Sequence, residues 1–454
     1  MISSRSREVN IVEMTPNTTG VPSGSDHRLR ESSAGSSALV LPDRVPCPSY
    51  TTMASLGDGR IMWVHGQQQL DPLLPLRAIY SQDGGRTWSE PTPLKLENGE
   101  DMPGLGNTSL FRLRDGRLGL VYMRMDDTAF YGAGRTRNEF HVSNDEGETW
   151  SPPVTINSPN ECAYSAHDHV KALSSGRIIV PMYSLIGGSL PEGFDRKACQ
   201  RFGQRFGNAE CWGLSYAYVY YSDDDGQTWQ RSRNAVYTAL DGGAGGGYSF
   251  GEPEIIELRD GRLLMFGRTT LGRIYQSFSD DQGWTWSIAY PTELAAYPAP
   301  MSLRRIPKTD DLLAIWSQTS RWEKMTGLYR HRLSCAISKD EGQTWTHFQN
   351  LESLDDTAHI EPDEPAVMLG RGIHQPLDRV RYHRAPGPLR CNDPTCIFHD
   401  DDAVISYGYW HFGDKDVIEK TYGLKYEDVL QQHGLGPDGQ ANKVRVLPVD
   451  WFYG

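Results

Sequence analysis

Ser81-Gln-Asp83-Gly-Gly85-Arg-Thr87-Trp88 is one of five copies of a single phrase, Ser-x-Asp-x-Gly-x-Thr-Trp. The others run Ser143 to Trp150, Ser222 to Trp229, Ser279 to Trp286 and Ser338 to Trp345. In each copy the Asp bonds its own backbone and the Gly accepts positive φ, so the phrase reads as a tight turn. Thr and Trp then enter a strand, with the indole covering the hairpin. Copies start 62, 79, 57 and 59 residues apart. That period suits one four-stranded sheet per copy, which predicts an all-β ring of small sheets.

A second repeat fixes the count. A turn followed by an apolar strand occurs at Asp58-Gly-Arg, Asp115-Gly-Arg, Ser175-Gly-Arg, Asp260-Gly-Arg, Asp310-Asp-Leu and Asp401-Asp-Ala. The first five each precede one Asp-containing box. Each reads as the hairpin between the two innermost strands of a blade, with continuous apolar runs because both faces are buried. Six turns predict a six-bladed β-propeller over residues 41–454, with blades near 40–100, 101–160, 161–240, 241–295, 296–350 and 351–454. The first 40 residues are polar and lack an apolar period, so residues 1–40 read as a disordered leader. The segment 416–432 reads as a short helix stopped at Gly434. The tail Lys443 to Tyr453 reads as a strand that closes the ring beside N-terminal strands. Two insertions, 185–212 and 355–390, interrupt the period and suit walls or lids over the opening.

Composition narrows the function. The net charge of −13 argues against a nucleic-acid partner. No stretch is long enough to span a membrane. Met1 to Arg7 lacks the apolar run of a secretory signal, so a cytoplasmic location is the default expectation. Seven cysteines cannot all pair. Cys391 with Cys396, or Cys199 with Cys211, are candidate loop disulfides, with reduced thiols the default. Their spacing does not suit a metal site.

The repeats also locate a candidate site. Eight residues before each turn stand Tyr50, Asn107, His167, Glu252, Ser302 and Asp393. These are polar groups at the mouths of otherwise apolar strands that surround one axis. Glu252 and Asp393 occupy equivalent slots, and two carboxylates facing one funnel suit acid/base or nucleophilic chemistry. Arg268 ends the run Leu263-Leu-Met-Phe-Gly, and Arg330 precedes Leu333 to Ile337. An Arg at the end of an inner strand is costly unless it meets an anion. Guanidinium groups converging on a funnel suit recognition of a carboxylate.

Boxes, blades and arginines together resemble the sialidase (neuraminidase) superfamily over roughly residues 42–453. The most specific stretch is Gly251-Glu252-Pro-Glu to Phe266-Gly-Arg268. The resemblance implies an exo-glycosidase acting on an anionic carbohydrate, with no metal or organic cofactor. It implies that Glu252 partners the nucleophile. It also implies that Arg268 and Arg330, eight residues before Ser338, are two of three carboxylate-binding arginines, with Arg332 the alternative to Arg330. Arg44-Val45-Pro46 resembles the family's first arginine motif, although Arg44 lies farther from the Asp58 turn than the family pattern has it. Asp71, the acid in the loop after the first inner strand, corresponds to the acid/base. Sialidases use a Tyr nucleophile, and here that slot holds Asp393 in Cys391-Asn-Asp-Pro-Thr-Cys396. Tyr382, Tyr407 and Tyr409 are alternative phenols. His167, Asp168 and Asn107 are candidates for binding sugar hydroxyls. A non-catalytic carbohydrate-binding propeller is one rival; a polysaccharide lyase with His167 or His169 as base is the other.

Overall fold

The computed structural model describes residues 30–31, 39–41, 51–66, 75–104, 106–125, 136–159, 161–185, 215–238, 250–269, 271–319, 330, 332–353, 389–411, 415, 419–420, 423–432, 434–435 and 439–454. Arg44, Tyr50, Asp71, Tyr382, Cys199, Cys211 and all but the edges of both insertions lie outside them, as does most of the expected leader.

Six antiparallel sheets form the blades of a propeller. Blade one contains Thr52–Ser55, Ile61–His65, Arg77–Ser81 and Thr92–Pro93. Blade two contains Gly106–Arg112, Leu118–Met125, Thr136–Ser143 and Val154–Thr155. In blade three the innermost strand is broken into Tyr164–Ser165 and Lys171–Ala172, which both pair with Ile178–Leu185; Ser215–Ser222 and Gln230–Arg231 follow. Blade four is Gly251–Glu257, Leu263–Arg268, Arg273–Ser279 and Tyr290–Ala295. Blade five is Ser302–Arg305, Leu312–Ser317, Leu333–Ser338 and Thr346–Ser353, and Arg30–Glu31 pairs onto its edge. Blade six is Leu389–His399, Asp402–His411 and Gln440–Pro448, with Leu39–Leu41 as its fourth strand. Pairing of Leu39–Leu41 with Asn442 to Val444 joins the two ends of the chain and removes a free edge.

The boxes hold the blades both within and between sheets. In the first box Ser81 Oγ donates to Asp83 Oδ1 at 2.8 Å and accepts from Gly85 N at 2.8 Å. Asp83 then accepts from Thr87 N and Thr87 Oγ1 at 2.8 and 2.6 Å. The other four boxes repeat these bonds. In the third box, the Thr228 hydroxyl and amide hold the Asp224 carboxyl down at about 2.

The box glycine serves a further purpose. At Gly226 (φ +84) an added Cβ would lie 2.0 Å from Phe140 of blade two. Gly85 of blade one faces Val404 of blade six in the same way. Each box thus leans on the blade before it. The core is accordingly six apolar clusters, one at each blade–blade seam. Gly226→Ala is expected to destabilise the protein by about 2–4 kcal/mol, from overpacking plus left-handed strain. The midpoint of urea unfolding measures it; an unchanged midpoint would mean that the seam yields.

The tail leaves the sheet at Pro448, where Val449–Tyr453 turns into a 3-10 helix and buries Phe452. The expected strand therefore stops earlier than Tyr453. The α-helix covers Tyr426–Gln432, and Gly423 (φ +65) stands before it; Gly434 (φ +65) ends it as expected. Among the described residues no helix is long and apolar enough to cross a membrane.

Candidate functional site around the propeller axis

Side chains of an innermost strand alternate between its two neighbouring blades, and at its polar positions they reach across the axis to other blades. Three axial layers result. The first holds Asn107, His167, Glu252 and Asp393. In blades two, four and six the innermost strand carries a one-residue bulge at the same place, between Gly106 and Ser109, Gly251 and Glu254, and Asn392 and Thr395. The bulge residues are left-handed: Asn107 (φ +53), Glu252 (φ +43) and Asp393 (φ +51). Asn and Asp tolerate this conformation, whereas a Glu there costs roughly 1–2 kcal/mol. Strain held at one equivalent slot in three blades marks a place built for something other than packing.

Glu252 is buried and forms an ion pair with Arg268, Oε1 to Nη2 2.8 Å. Arg268 Nη1 also donates to the Pro298 carbonyl at 3.4 Å. Arg330 Nη2 donates to that same carbonyl at 3.1 Å, and Arg330 Nη1 donates to Asn392 Oδ1 beside Asp393. The two arginines, from blades four and five, therefore meet over one oxygen. The Arg330 backbone is left-handed (φ +59), and its carbonyl accepts from Cys391 N at 2.6 Å, tying it to blade six. Its guanidinium carbon lies 5.7 Å from the Tyr297 ring centre. Burial pushes the Glu252 carboxyl up; Arg268 opposes this, Asp393 adds to it and Arg330 opposes it. His167 is buried, and desolvation pulls its pKa down to about 4 against the attraction of Asp393. It is neutral at pH 7.

The second layer is an ionic lock. Asp168, grouped by sequence with the sugar-binding candidates, commits its carboxylate here. Oδ1 accepts from Thr52 Oγ1 at 2.6 Å, and Oδ2 accepts from Thr395 Oγ1 and Arg304 Nη2. Arg304 also donates to Glu254 Oε1 at 3.1 Å and to the Cys396 carbonyl at 2.9 Å. Lys171 Nζ lies 3.0 Å from Glu254 Oε1, and His169 Nε2 lies 2.8 Å from Glu254 Oε2. Burial would raise the Glu254 carboxyl, but His169, Lys171 and Arg304 overcome it and hold it at about 2. With Ser109 Oγ accepting from His169 N at 3.1 Å, all six blades contribute to the lock. Beyond it, toward the hairpin face, lies a cavity of about 400 Å³ lined by Met53, Phe111, Lys171, Ile256 and Ile397 among others.

Other sequence candidates fall as follows. Asn107 donates to the Ser165 carbonyl at 2.7 Å, bridging blades two and three. Arg332 is buried just before the strand Leu333–Ser338. Tyr407 is fully buried and donates to Glu352 Oε1 at 2.5 Å, a pair also bound by Arg445. Tyr409 stacks under Lys443, whose Nζ is 4.8 Å from the ring centre. Cys391 and Cys396 are free, buried thiols; burial pushes Cys396 up to about 12. Among the described residues no group of His, Cys, Asp and Glu is arranged to hold a metal ion. Sequence reasoning missed Tyr297 and Pro298, which belong to no repeat, and Asn392, the neighbour of Asp393 at the blade-six bulge.

The model of the BNR repeat-like domain matches residues 81–432. No curated protein matches the chain. Among solved structures, Trypanosoma rangeli sialidase in complex with sialic acid is similar at TM-score 0.55 and 13% identity, over 92% of this chain and 60% of that one. Hadza microbial sialidase Hz136 is similar at TM-score 0.54 and 14% identity, over 82% of this chain and 66% of that one. A protein of unknown function from Dyadobacter fermentans reaches TM-score 0.53 and 16% identity, over 93% of this chain and 97% of that one. The chain thus spans less than two thirds of the trypanosomal sialidase. At such identities the likeness is one of fold. With five boxes, six blades and a domain match over most of its length, the chain belongs to the BNR repeat-like domain family and has the sialidase-like propeller fold.

Proposed function

We propose that this protein is an exo-acting glycoside hydrolase of sialidase type that takes a terminal acidic sugar. The observation that carries the reading is the meeting of Arg268 and Arg330 over the Pro298 carbonyl, beside Glu252. Two guanidinium groups aimed at one point suit a carboxylate through paired charge-assisted bonds. Glu252, with Asp393, stabilises or traps the oxocarbenium centre. Arg44 joins the arginines and Asp71 protonates the leaving oxygen. Neither step calls for a metal or organic cofactor.

Asp393 favours a second substrate within this reading. Sialic acid carries its carboxylate on the anomeric carbon, so an Asp nucleophile brings one anion against another. An acidic aldose places its carboxylate elsewhere on the ring, and Asp is the usual nucleophile for aldoses. The test is release of 4-methylumbelliferone from the α-sialoside, from a set of uronides and from neutral glycosides. Release from an anionic glycoside supports the reading, and which one decides between the two substrates. Turnover of neutral glycosides alone, or of none, overturns it; a new absorbance of an unsaturated uronide indicates a lyase. Arg330→Met is expected to raise KM for the anionic substrate roughly 10- to 100-fold, the loss of one charge-assisted contact. An unchanged KM would remove Arg330 from the anion site.

A further inference from the structure

His169 sits one layer below Glu252, with its ring between blades four and five and its amide bonded to Ser109 of blade two. Its Nδ1 is 2.9 Å from the Pro253 carbonyl and its Nε2 is 2.8 Å from the Met301 carbonyl. Nε2 is also 2.8 Å from Glu254 Oε2. Every one of these partners is an acceptor only. A neutral imidazole has a single N–H, so both contacts are satisfied only when both ring nitrogens carry protons. The ring is 1% exposed, so no water replaces a missing donor.

The two carbonyls are not arbitrary. Pro253 immediately follows Glu252 and belongs to the bulge that holds Glu252 at φ +43. Met301 lies three residues after Pro298, whose carbonyl receives Arg268 and Arg330. We infer that His169, as a doubly protonated ring, is the positioning residue that fixes the Glu252 carboxylate against the arginine pair. It touches no reacting atom. It acts through the backbone at Pro253 and Met301 and through its positive charge beneath Glu252. This inference rests on the proposed hydrolase reading for its kinetic consequence, though not for its geometry.

Charged groups surround the ring. Glu254 faces it directly. Lys171 and Arg304 stand on the other side of Glu254, the Asp168 carboxylate is engaged by Arg304, and the neutral His167 ring lies 5.5 Å away. Glu252 in turn faces Arg268, Arg330, Asp393 and His169, with His169 lowering its pKa.

Two measurements test the inference separately. In the full-length protein labelled with ¹⁵N-histidine, His169, assigned by its absence in His169→Gln, is expected to show both ring nitrogens as hydrogen-bond donors to the Pro253 and Met301 carbonyls. A single-donor tautomer there overturns the proposal, and this readout needs no substrate. In kinetics, His169→Gln keeps one donor and loses the charge; kcat is expected to fall roughly 10- to 100-fold with KM changed far less, as for other supporting residues one shell removed. His169→Phe is expected to fall further. Loss of the cation raises the Glu252 pKa, so the acid limb of the pH–kcat profile moves to higher pH in both variants. A merely structural residue would lower activity without moving that limb, and an unmoved limb overturns the proposal. If the wild-type protein hydrolyses nothing, the hydrolase reading fails, while the NMR result still decides the protonation and the clamp. If both variants fail to fold, the wild-type spectrum decides.

Discussion

Asp168→Asn is expected to lower the stability of the folded protein by about 3 kcal/mol, because removing one member of a buried ion pair strands the other. The side chain is 5% exposed and ties blades one, three, five and six through Thr52, its own strand, Arg304 and Thr395. Asn tolerates the left-handed backbone at this position, so the substitution adds little conformational strain. What it removes is a charge and acceptors. Two hydroxyls and a guanidinium now share one carbonyl oxygen, and the amide nitrogen faces donors. Adding Arg304→Met should recover more than half of the loss, because the stranded cation is then gone and Glu254 keeps Lys171 and His169. Urea midpoints for the two variants and the wild type check this. A wild-type midpoint for Asp168→Asn would mean that the seams alone hold the ring. Acid should act in the same direction. Glu254 is held at about 2 against an ordinary 4.5. A depressed carboxylate stabilises the fold above its unfolded pKa, and that contribution is lost as pH falls from about 4.5 toward 2.

The axis explains how much was legible in the sequence. Counting eight residues back from the six turns gives Tyr50, Asn107, His167, Glu252, Ser302 and Asp393, of which Asn107, Glu252 and Asp393 are the bulge residues of blades two, four and six. Counting six gives Thr52, Ser109, His169, Glu254, Arg304 and Thr395. Those are the side chains of the lock. Counting four gives Ala54, Phe111, Lys171, Ile256, Ile306 and Ile397, of which Phe111, Lys171, Ile256 and Ile397 line the cavity beyond it. The period of two that defines a strand links the second set to the third, while the bulges of blades two, four and six interrupt it between the first and the second. Asp168 escaped the scheme because blade three breaks its innermost strand between Ser165 and Lys171, which swings a neighbour of the facing residue onto the axis.

What the sequence did not carry has a different cause. Pro298 and Tyr297 lie between blades, in no repeat and no motif, so no internal alignment points to them. Their role follows only from Arg268 and Arg330 arriving from two blades at one carbonyl. The phenols illustrate the converse. Tyr407 stands near the slot in sequence, yet it faces the seam between blades five and six, where its hydroxyl donates to Glu352 and accepts from Arg445. Burial, then Glu352, pushes that phenol well above its ordinary pKa, which opposes any part as a nucleophile.

Asp393→Ala is expected to reduce kcat roughly 10²- to 10⁴-fold, the range for removing a group that acts directly on the reacting bond. Asp393 is 4% exposed, left-handed, and close enough to Glu252 to raise its pKa and to His167 to oppose the lowering there. Two carboxyls in one desolvated funnel push each other's charge apart, and this is how a site assigns one of them to attack and the other to assist. Removing Asp393 therefore lowers the Glu252 pKa, and residual activity should show its acid limb at lower pH. That sign is opposite to the one expected for His169→Gln, so the pair of variants brackets the same carboxyl from both sides. Azide supplied to Asp393→Ala fits the space left by the carboxylate and should restore turnover with formation of a glycosyl azide. A kcat within threefold of wild type would move the nucleophile away from Asp393, leaving the arginine pair and Glu252 to serve a phenol or a water instead.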